Sequence, residues 1–196
     1  MLAQLRPAIV STVFFTLLLG VGYPLLVTGI AHLTMPTNAD GSLIRNGGGQ
    51  VIGSSLIAQG FAKPEYLHPR PSAAGKGYEA DNSGGSNYGP LNADLAKRVK
   101  GDADALRAST GSAIVPADAV TTSASGLDPD ISPAYALLQA PRIAAARGAD
   151  PVKVRAFIAN RVQSPWLGFI GQPRVNVLVT NLALDAAFAK AHPPGS

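Results

Sequence analysis

Proton or metal chemistry in this chain would fall to few side chains. There are three histidines, His32, His68 and His192, and no cysteine. The absence of thiols excludes thiolate nucleophiles and Cys-based metal sites. His68 sits in His-Pro-Arg-Pro with no second histidine nearby, so it reads as a packed or surface residue rather than a ligand. Asp128 and Asp130 flank Pro129. Two carboxylates that close could share acid–base work, but around a proline they more simply form a turn or a cap. Ser83-Gly84-Gly85-Ser86-Asn87 could fold into a nest of backbone N–H groups that holds an anion; the same residues also make a plain glycine turn. The phosphate loop G-x-x-x-x-G-K-[ST], the nucleophile elbow G-x-S-x-G and the zinc motif H-E-x-x-H are absent. No catalytic set, cofactor site or metal site is expected of the chain by itself.

Composition narrows the classes further. The formal net charge is +4 and the Lys and Arg residues are scattered, which disfavours nucleic-acid binding. A thiol-free domain suits an oxidising exterior. With 21 Gly and 16 Pro among 196 residues, loops and turns must make up much of the fold.

The element that must position everything else is Ala8 to Ala31, 24 residues without a charge. As a helix it reaches about 36 Å, enough for a hydrocarbon core of about 30 Å. Pro24, with Gly20 and Gly22 before it, predicts a kink, because proline lacks a backbone donor and crowds the carbonyl four residues back. The run is longer than a secretory h-region and has no clear small-residue cleavage site, so an uncleaved signal anchor is expected. Arg6 and the amino terminus place the N-terminus in the cytoplasm by the positive-inside rule. The expected fold class is α+β. Residues 1–33 are a transmembrane anchor and 34–49 a connector. Residues 50–196 form one loop-rich extracytoplasmic domain with a small sheet and several helices.

Along that domain, Gln50 to Phe61 reads as two short strands, or a strand and a turn. Ala62 to Pro90 has neither helical nor strand period, and a structureless stretch that long is usually functional or disordered. Its tyrosines, Tyr66, Tyr78 and Tyr88, favour an ordered surface loop. Leu91 to Ser109 is a helix with Leu91, Leu95, Val99 and Leu106 on one stripe. Ser132-Pro133 caps and starts a helix that Pro141 should kink or split and Gly148 should stop. Asp150-Pro151 repeats that start, ahead of the stripe Val154, Phe157, Ile158 and Val162. Arg174 to Thr180 reads as a strand with Val175, Val177 and Val179 on one face. A last helix is expected from Asn181 to Lys190. Asn176, a poor strand former, is expected to cap an adjacent loop with its amide.

Short stretches in order along nearly the whole chain carry a family resemblance. They begin with Leu-Arg-Pro before the apolar run, Tyr23-Pro-Leu-Leu26 within it, Gly41-Ser-Leu-Ile44 and Gly53-Ser-Ser-Leu-Ile-Ala-Gln59. They continue with His68-Pro-Arg-Pro-Ser-Ala73, Ser83 to Asn87, Ser123-Ala-Ser-Gly-Leu-Asp-Pro129 and Gln139-Ala-Pro-Arg-Ile-Ala-Ala-Ala-Arg147. They close with Leu-Gly-Phe-Ile-Gly-Gln-Pro-Arg-Val-Asn-Val-Leu from Leu167 and Asn-Leu-Ala-Leu-Asp ending at Asp185. In their order and spacing these resemble the C subunit of the Kdp high-affinity potassium-transporting ATPase of bacteria and archaea.

The resemblance implies a single-span accessory subunit of the plasma (inner) membrane, not an enzyme on its own. The implied partners are a channel-like potassium-selecting subunit, a P-type ATPase subunit and a very small membrane subunit. It implies a role in assembly, described as that of a catalytic chaperone raising the ATPase subunit's affinity for ATP, with ATP and potassium handled by the complex. The phosphorylated D-K-T-G-T motif of P-type pumps is absent here. Gln139 and Ser-Gly-Gly-Ser invite comparison with nucleotide-binding signatures, but a domain outside cannot touch ATP inside. Coupling then has to be indirect. Tyr66, Arg70, Tyr78, Ser83, Asn87 and Tyr88, all in the long loop, are the residues expected to face the channel-like subunit, with Arg70 as anchor. Two other classes stay open: a membrane-anchored extracytoplasmic hydrolase using Ser and Asp from the glycine-rich loops, which lacks a candidate base, and a free-standing structural or adhesion domain.

Overall fold

A computed structural model describes residues 4–188. The predicted helix end at residues 189 and 190, and His192, lie outside the described residues. The chain divides into two compact units, Met1–Ile52 and Gly53–Ser196.

In the first unit the apolar run is helical over 30 residues from Leu5 to Thr34, and its 18-residue apolar window has a mean hydropathy of 2.0 with no part of it buried. It extends beyond Ala8 and Ala31 at both ends and would reach about 45 Å. The predicted irregularity is a π-turn. Helix α1 (Leu5–Leu17) passes into the wide turn Leu18–Gly22 and then into α2 (Tyr23–Thr34). Pro24 has no N–H to offer and its ring crowds the carbonyl of Gly20. The chain relaxes by letting Tyr23 N–H reach back five residues to Leu18 O. Ser11 and Thr34 satisfy their hydroxyls on the helix backbone, donating to Pro7 O at 2.9 Å and Ile30 O at 2.8 Å. A short helix, α3 (Pro36–Ala39), follows. Strand β1 (Leu43–Arg45) then pairs with β2 (Val51–Ser54). Asn46 builds the intervening turn by accepting from Gly48 N and Gln50 N, each at 3.0 Å.

In the second unit the helix boundaries follow their capping residues. Asn92 accepts from Asp94 N and Leu95 N to start α4 (Ala93–Thr110), and Gly111, at φ 68°, ends it. Leu91 lies ahead of that helix and is 99% exposed, so it is not part of the predicted stripe. Ala103 is buried, and Val99 and Leu106 pack against the core. Ser132 Oγ accepts from Tyr135 N to start α5 (Pro133–Leu138). Pro141 splits the run as predicted, and α6 (Ala140–Arg147) ends at Gly148 with φ 60°. Asp150 caps α7 (Pro151–Ala159). The corner of α5, α6 and α7 buries Ala136, Ala140, Ile143, Ala144, Val154 and Ile158. Each fully buried branched side chain there contributes about 1.5–3 kcal/mol.

The stretch 174–180 departs from expectation. Only Val175–Asn176 is a strand (β4), antiparallel to β3 (Asp130–Ile131), with Asp130 opposite Asn176 and Ile131 opposite Val175. Helix α8 runs from Val177 to Ala187. The switch occurs at Asn176, whose Oδ1 accepts from Val179 N at 3.1 Å as a helix cap. As a helix the segment buries Val177, Leu178, Thr180, Asn181 and Leu184 together. A strand would have divided these between two faces. The fold class is α+β, with two two-stranded sheets among the described residues.

Candidate functional site

The aperiodic stretch Ala62 to Pro90 has no helix or strand, yet between residues 63 and 68 its backbone is bonded residue by residue. From Lys63 to His68 six consecutive carbonyls each meet a side-chain nitrogen. Lys63 O lies 3.0 Å from His68 Nε2. Pro64 O and Tyr66 O accept from Arg142 at 2.6 and 3.0 Å, and Glu65 O from Arg147 Nε at 2.8 Å. Leu67 O accepts from Asn181 Nδ2 at 2.9 Å and His68 O from Gln139 Nε2 at 3.1 Å. The same two amides accept the N–H groups of Leu67 and His68, at 2.7 and 2.8 Å. Backbone groups withdrawn from water need partners, and side chains of α6 and α8, with Gln139 just ahead of α6 and His68 of the loop itself, supply them where no neighbouring strand does.

Arg147 is the centre of this clamp. Its side chain is wholly enclosed and donates to Glu65 O, Leu184 O, Phe188 O and Asp185 Oδ1. Its guanidinium also lies 5.4 Å from the Tyr66 ring centre, while Tyr66 OH donates to Asp185 Oδ2 at 3.0 Å. Burial, together with the Arg142 charge, lowers the His68 pKa; the contact with Lys63 O opposes this. Burial also lowers the pKa of Arg142 and pushes that of Tyr135 up to about 12. Gln139, compared above with nucleotide signatures, is buried and holds His68.

The second half of the loop is held by Arg70 and Ser72. Arg70 donates to Asp128 Oδ2 at 2.9 Å and to the carbonyls of Thr121 and Thr122. Tyr78 OH donates to Arg70 O at 2.8 Å. Ser72 Oγ donates to Gly126 O at 2.6 Å and accepts from Ala74 N and Tyr78 N. Gly126, at φ 68°, sits so close that a Cβ there would lie 2.6 Å from Ala74 N and 2.7 Å from Gly84 O. Ser83 Oγ and Gly84 N both donate to Ser125 O, and Gly85 packs on Ala124 O. Ser-Gly-Gly-Ser is thus seated against 122–126, and its Gly84 N–H faces a carbonyl rather than an open anion nest.

Of the residues assigned to a partner, Tyr66, Arg70, Tyr78 and Ser83 bond to their own domain. Asn87, with φ 52°, and Tyr88, 44% exposed, face solvent. The domain's own groups thus hold the loop at Tyr66, Arg70, Tyr78 and Ser83.

Beside Arg70 a cleft of about 420 Å³ is lined by Asp118, Asp128, Asp130, Ser132, Gln172 and Arg174 among others. Asp128 Oδ1 accepts from Asp130 N at 3.1 Å, the turn duty expected of it. Asp130 pairs with Arg174 at 3.1 Å and accepts from Asn176 Nδ2 at 3.2 Å. Burial raises its pKa, against Arg174 and the Asn176 bond. Asp118 accepts both Ser132 N and Ser132 Oγ, at 2.7 and 2.8 Å. That serine is a helix cap held by a carboxylate. Among the described residues no group of three or more His, Asp or Glu is placed to hold a metal ion. Arg142, Arg147, Arg174 and Asn181 stand in the sequence reading only within the family-like stretches or at element ends, with no role assigned to them, and Asp118 does not stand there at all.

Among the described residues one apolar helix is long enough, by length and composition, to cross a membrane, and a small α+β domain whose polar groups bind its own loop follows it in the chain. The family model "KdpC: K+-transporting ATPase, c chain" matches residues 5–186. The chain belongs to this family, and so to the subunits of a potassium-transporting ATPase complex. Among similar proteins, the potassium-transporting ATPase KdpC subunit of Caulobacter sp. (strain K31) is 63% identical over 96% of both chains. That of Beijerinckia indica subsp. indica is 58% identical over 99% of both. That of Rhodospirillum rubrum is 53% identical over 98% of this chain and all of the relative.

Proposed function

We propose that this chain is an assembly subunit of a high-affinity, ATP-driven potassium uptake complex. Its helix crosses the plasma membrane with the N-terminus in the cytoplasm, and its domain stands on the extracytoplasmic side beside the channel-like subunit. Potassium and ATP are handled by the complex, whose other members are that subunit, the P-type ATPase subunit and a small membrane subunit. Any rise in ATP affinity that the chain produces reaches the ATPase subunit through assembly, because the domain and ATP are on opposite sides of the membrane.

One observation carries this reading. The long loop is ordered by its own domain and still leaves Asn87, Tyr88 and Leu91 exposed at its end. A surface ordered in advance binds without a further ordering cost. An aromatic anchor in such a surface is worth at least about 2 kcal/mol, roughly thirtyfold in affinity.

The test is Tyr88→Ser with Leu91→Ser in cells making the whole complex. The expected result is a folded chain that no longer co-purifies with the larger subunits in mild detergent. Undiminished recovery would show that this end of the loop is not the contact. Orientation is tested separately: protease added to intact spheroplasts should remove the domain, and protection there with cleavage in inverted vesicles reverses the topology.

A further inference from the structure

Residues 163–174 form a narrow hairpin. Gln163 and Arg174 exchange backbone hydrogen bonds of 2.8 and 3.1 Å, and Trp166 and Ile170 exchange bonds of 3.0 and 2.9 Å. Leu167 (φ 52°) and Gly168 (φ 83°) turn the chain through the left-handed region. The tip carries Trp166, Leu167, Phe169 and Ile170, exposed by 69, 66, 76 and 48%. Contiguous apolar side chains held out in this way mark a contact surface.

Charge identifies the occupant. From Pro151 to Leu184 the charged residues are Lys153, Arg155, Arg161 and Arg174, with no Asp or Glu. Lys153, Arg155 and Arg161 are exposed. Arg174 is engaged with Asp130. An apolar tip bearing a tryptophan, on a stretch of sequence whose only charges are positive and whose base is tied to Asp130 through Arg174, is the make-up of a segment that enters the interfacial layer of an anionic bilayer. A stable protein contact buries about 800 Å² on each partner, more than four side chains on one turn provide. A chain with a spanning helix is also held at a bilayer. We infer that this hairpin is a lipid-facing tip. Trp166, Leu167, Phe169 and Ile170 enter the headgroup boundary of an anionic membrane, and Lys153, Arg155 and Arg161 meet its phosphates.

Trp166 is the only tryptophan, so its emission reports the tip alone. The full chain is reconstituted into phosphatidylcholine vesicles with and without phosphatidylglycerol, using lipids brominated on the acyl chains. The expected result is blue-shifted emission quenched by the brominated lipid, more strongly with phosphatidylglycerol. Leu167→Ser with Phe169→Ser should remove about half of that quenching or more. Lys153→Gln with Arg161→Gln should remove its dependence on phosphatidylglycerol. Water-like emission, open to acrylamide and untouched by brominated lipid in both vesicle types, overturns the inference. Protection of Trp166 that arises only when the other ATPase subunits are added also overturns it, and assigns the tip to a protein contact.

Discussion

Asn181 holds Leu67 by both of its backbone groups: Leu67 N donates to Asn181 Oδ1 at 2.7 Å, and Asn181 Nδ2 donates to Leu67 O at 2.9 Å. Both residues are buried, and 114 positions separate them. Asn181→Leu leaves a buried donor and a buried acceptor unmet. Each such loss costs about 1–3 kcal/mol, so roughly 2–6 kcal/mol in all is expected. Urea unfolding of the full chain in detergent measures it, with early proteolysis of the 62–90 loop as a second reading.

Arg147→Met should be at least as damaging. It strips donors from Glu65 O, Leu184 O and Phe188 O and takes the Arg147 cation from Asp185. Removing one partner of a buried pair typically costs about 3–5 kcal/mol. Asp185→Asn should cost less, because the amide oxygen can still accept from Arg147 while the amide N–H group donates to the Tyr66 hydroxyl. Thermal melts of the two variants give the ranking.

Gly126→Ala and Gly111→Ala separate strain from collision. Both glycines have φ 68°, but nothing lies within 4 Å of a Cβ at Gly111, whereas Gly126 faces Ala74 N and Gly84 O. Gly111→Ala should cost about 1 kcal/mol, the usual left-handed penalty. Gly126→Ala should cost several times more and release the 72–85 segment to protease. Equal melting temperatures for the two variants would count against this packing.

His68 sets a pH dependence. Its folded pKa is held below the ordinary 6.5, chiefly by burial and then by the Arg142 charge. The unfolded chain therefore takes up a proton first. The stability contributed by neutral His68 is fully present above 6.5 and is lost as pH falls from there toward the folded pKa. In His68→Gln the drop in urea midpoint between about pH 7 and pH 5 should be smaller than in the parent chain. Asp130, its carboxyl raised by burial, acts in the opposite sense at more acid pH.

Signals that act over a few residues were legible in the sequence. The caps Ser132 and Asp150, the stop at Gly148 and the split at Pro141 are each decided by one residue's backbone chemistry. The apolar run is decided by composition over one helix. The valines at 175, 177 and 179 misled because an alternating pattern fits a strand as well as a helix start. The misfit, Asn176, was the informative residue, since a poor strand former ahead of an apolar run is also a cap. The loop clamp was illegible for a different reason. Gln139 and Asn181 reach residues 71 and 114 positions away, and no local period records a pairing made only when the core closes. Arg70 likewise shows an exposed-looking arginine in sequence and an internal strut in space.

The π-turn at Leu18–Gly22 sets the phase of the membrane helix. Each residue advances an α-helix by about 100°, so one additional residue in a single turn rotates everything beyond it by that amount relative to an unbroken helix. Val27, which a uniform helical wheel would place about 20° from Thr16 and about 60° from Thr12, is carried away from their face by the bulge. The span therefore presents two faces in succession, one on either side of Gly22. A straight neighbouring helix can follow either face but not both, so the two halves can meet different neighbours within one bilayer.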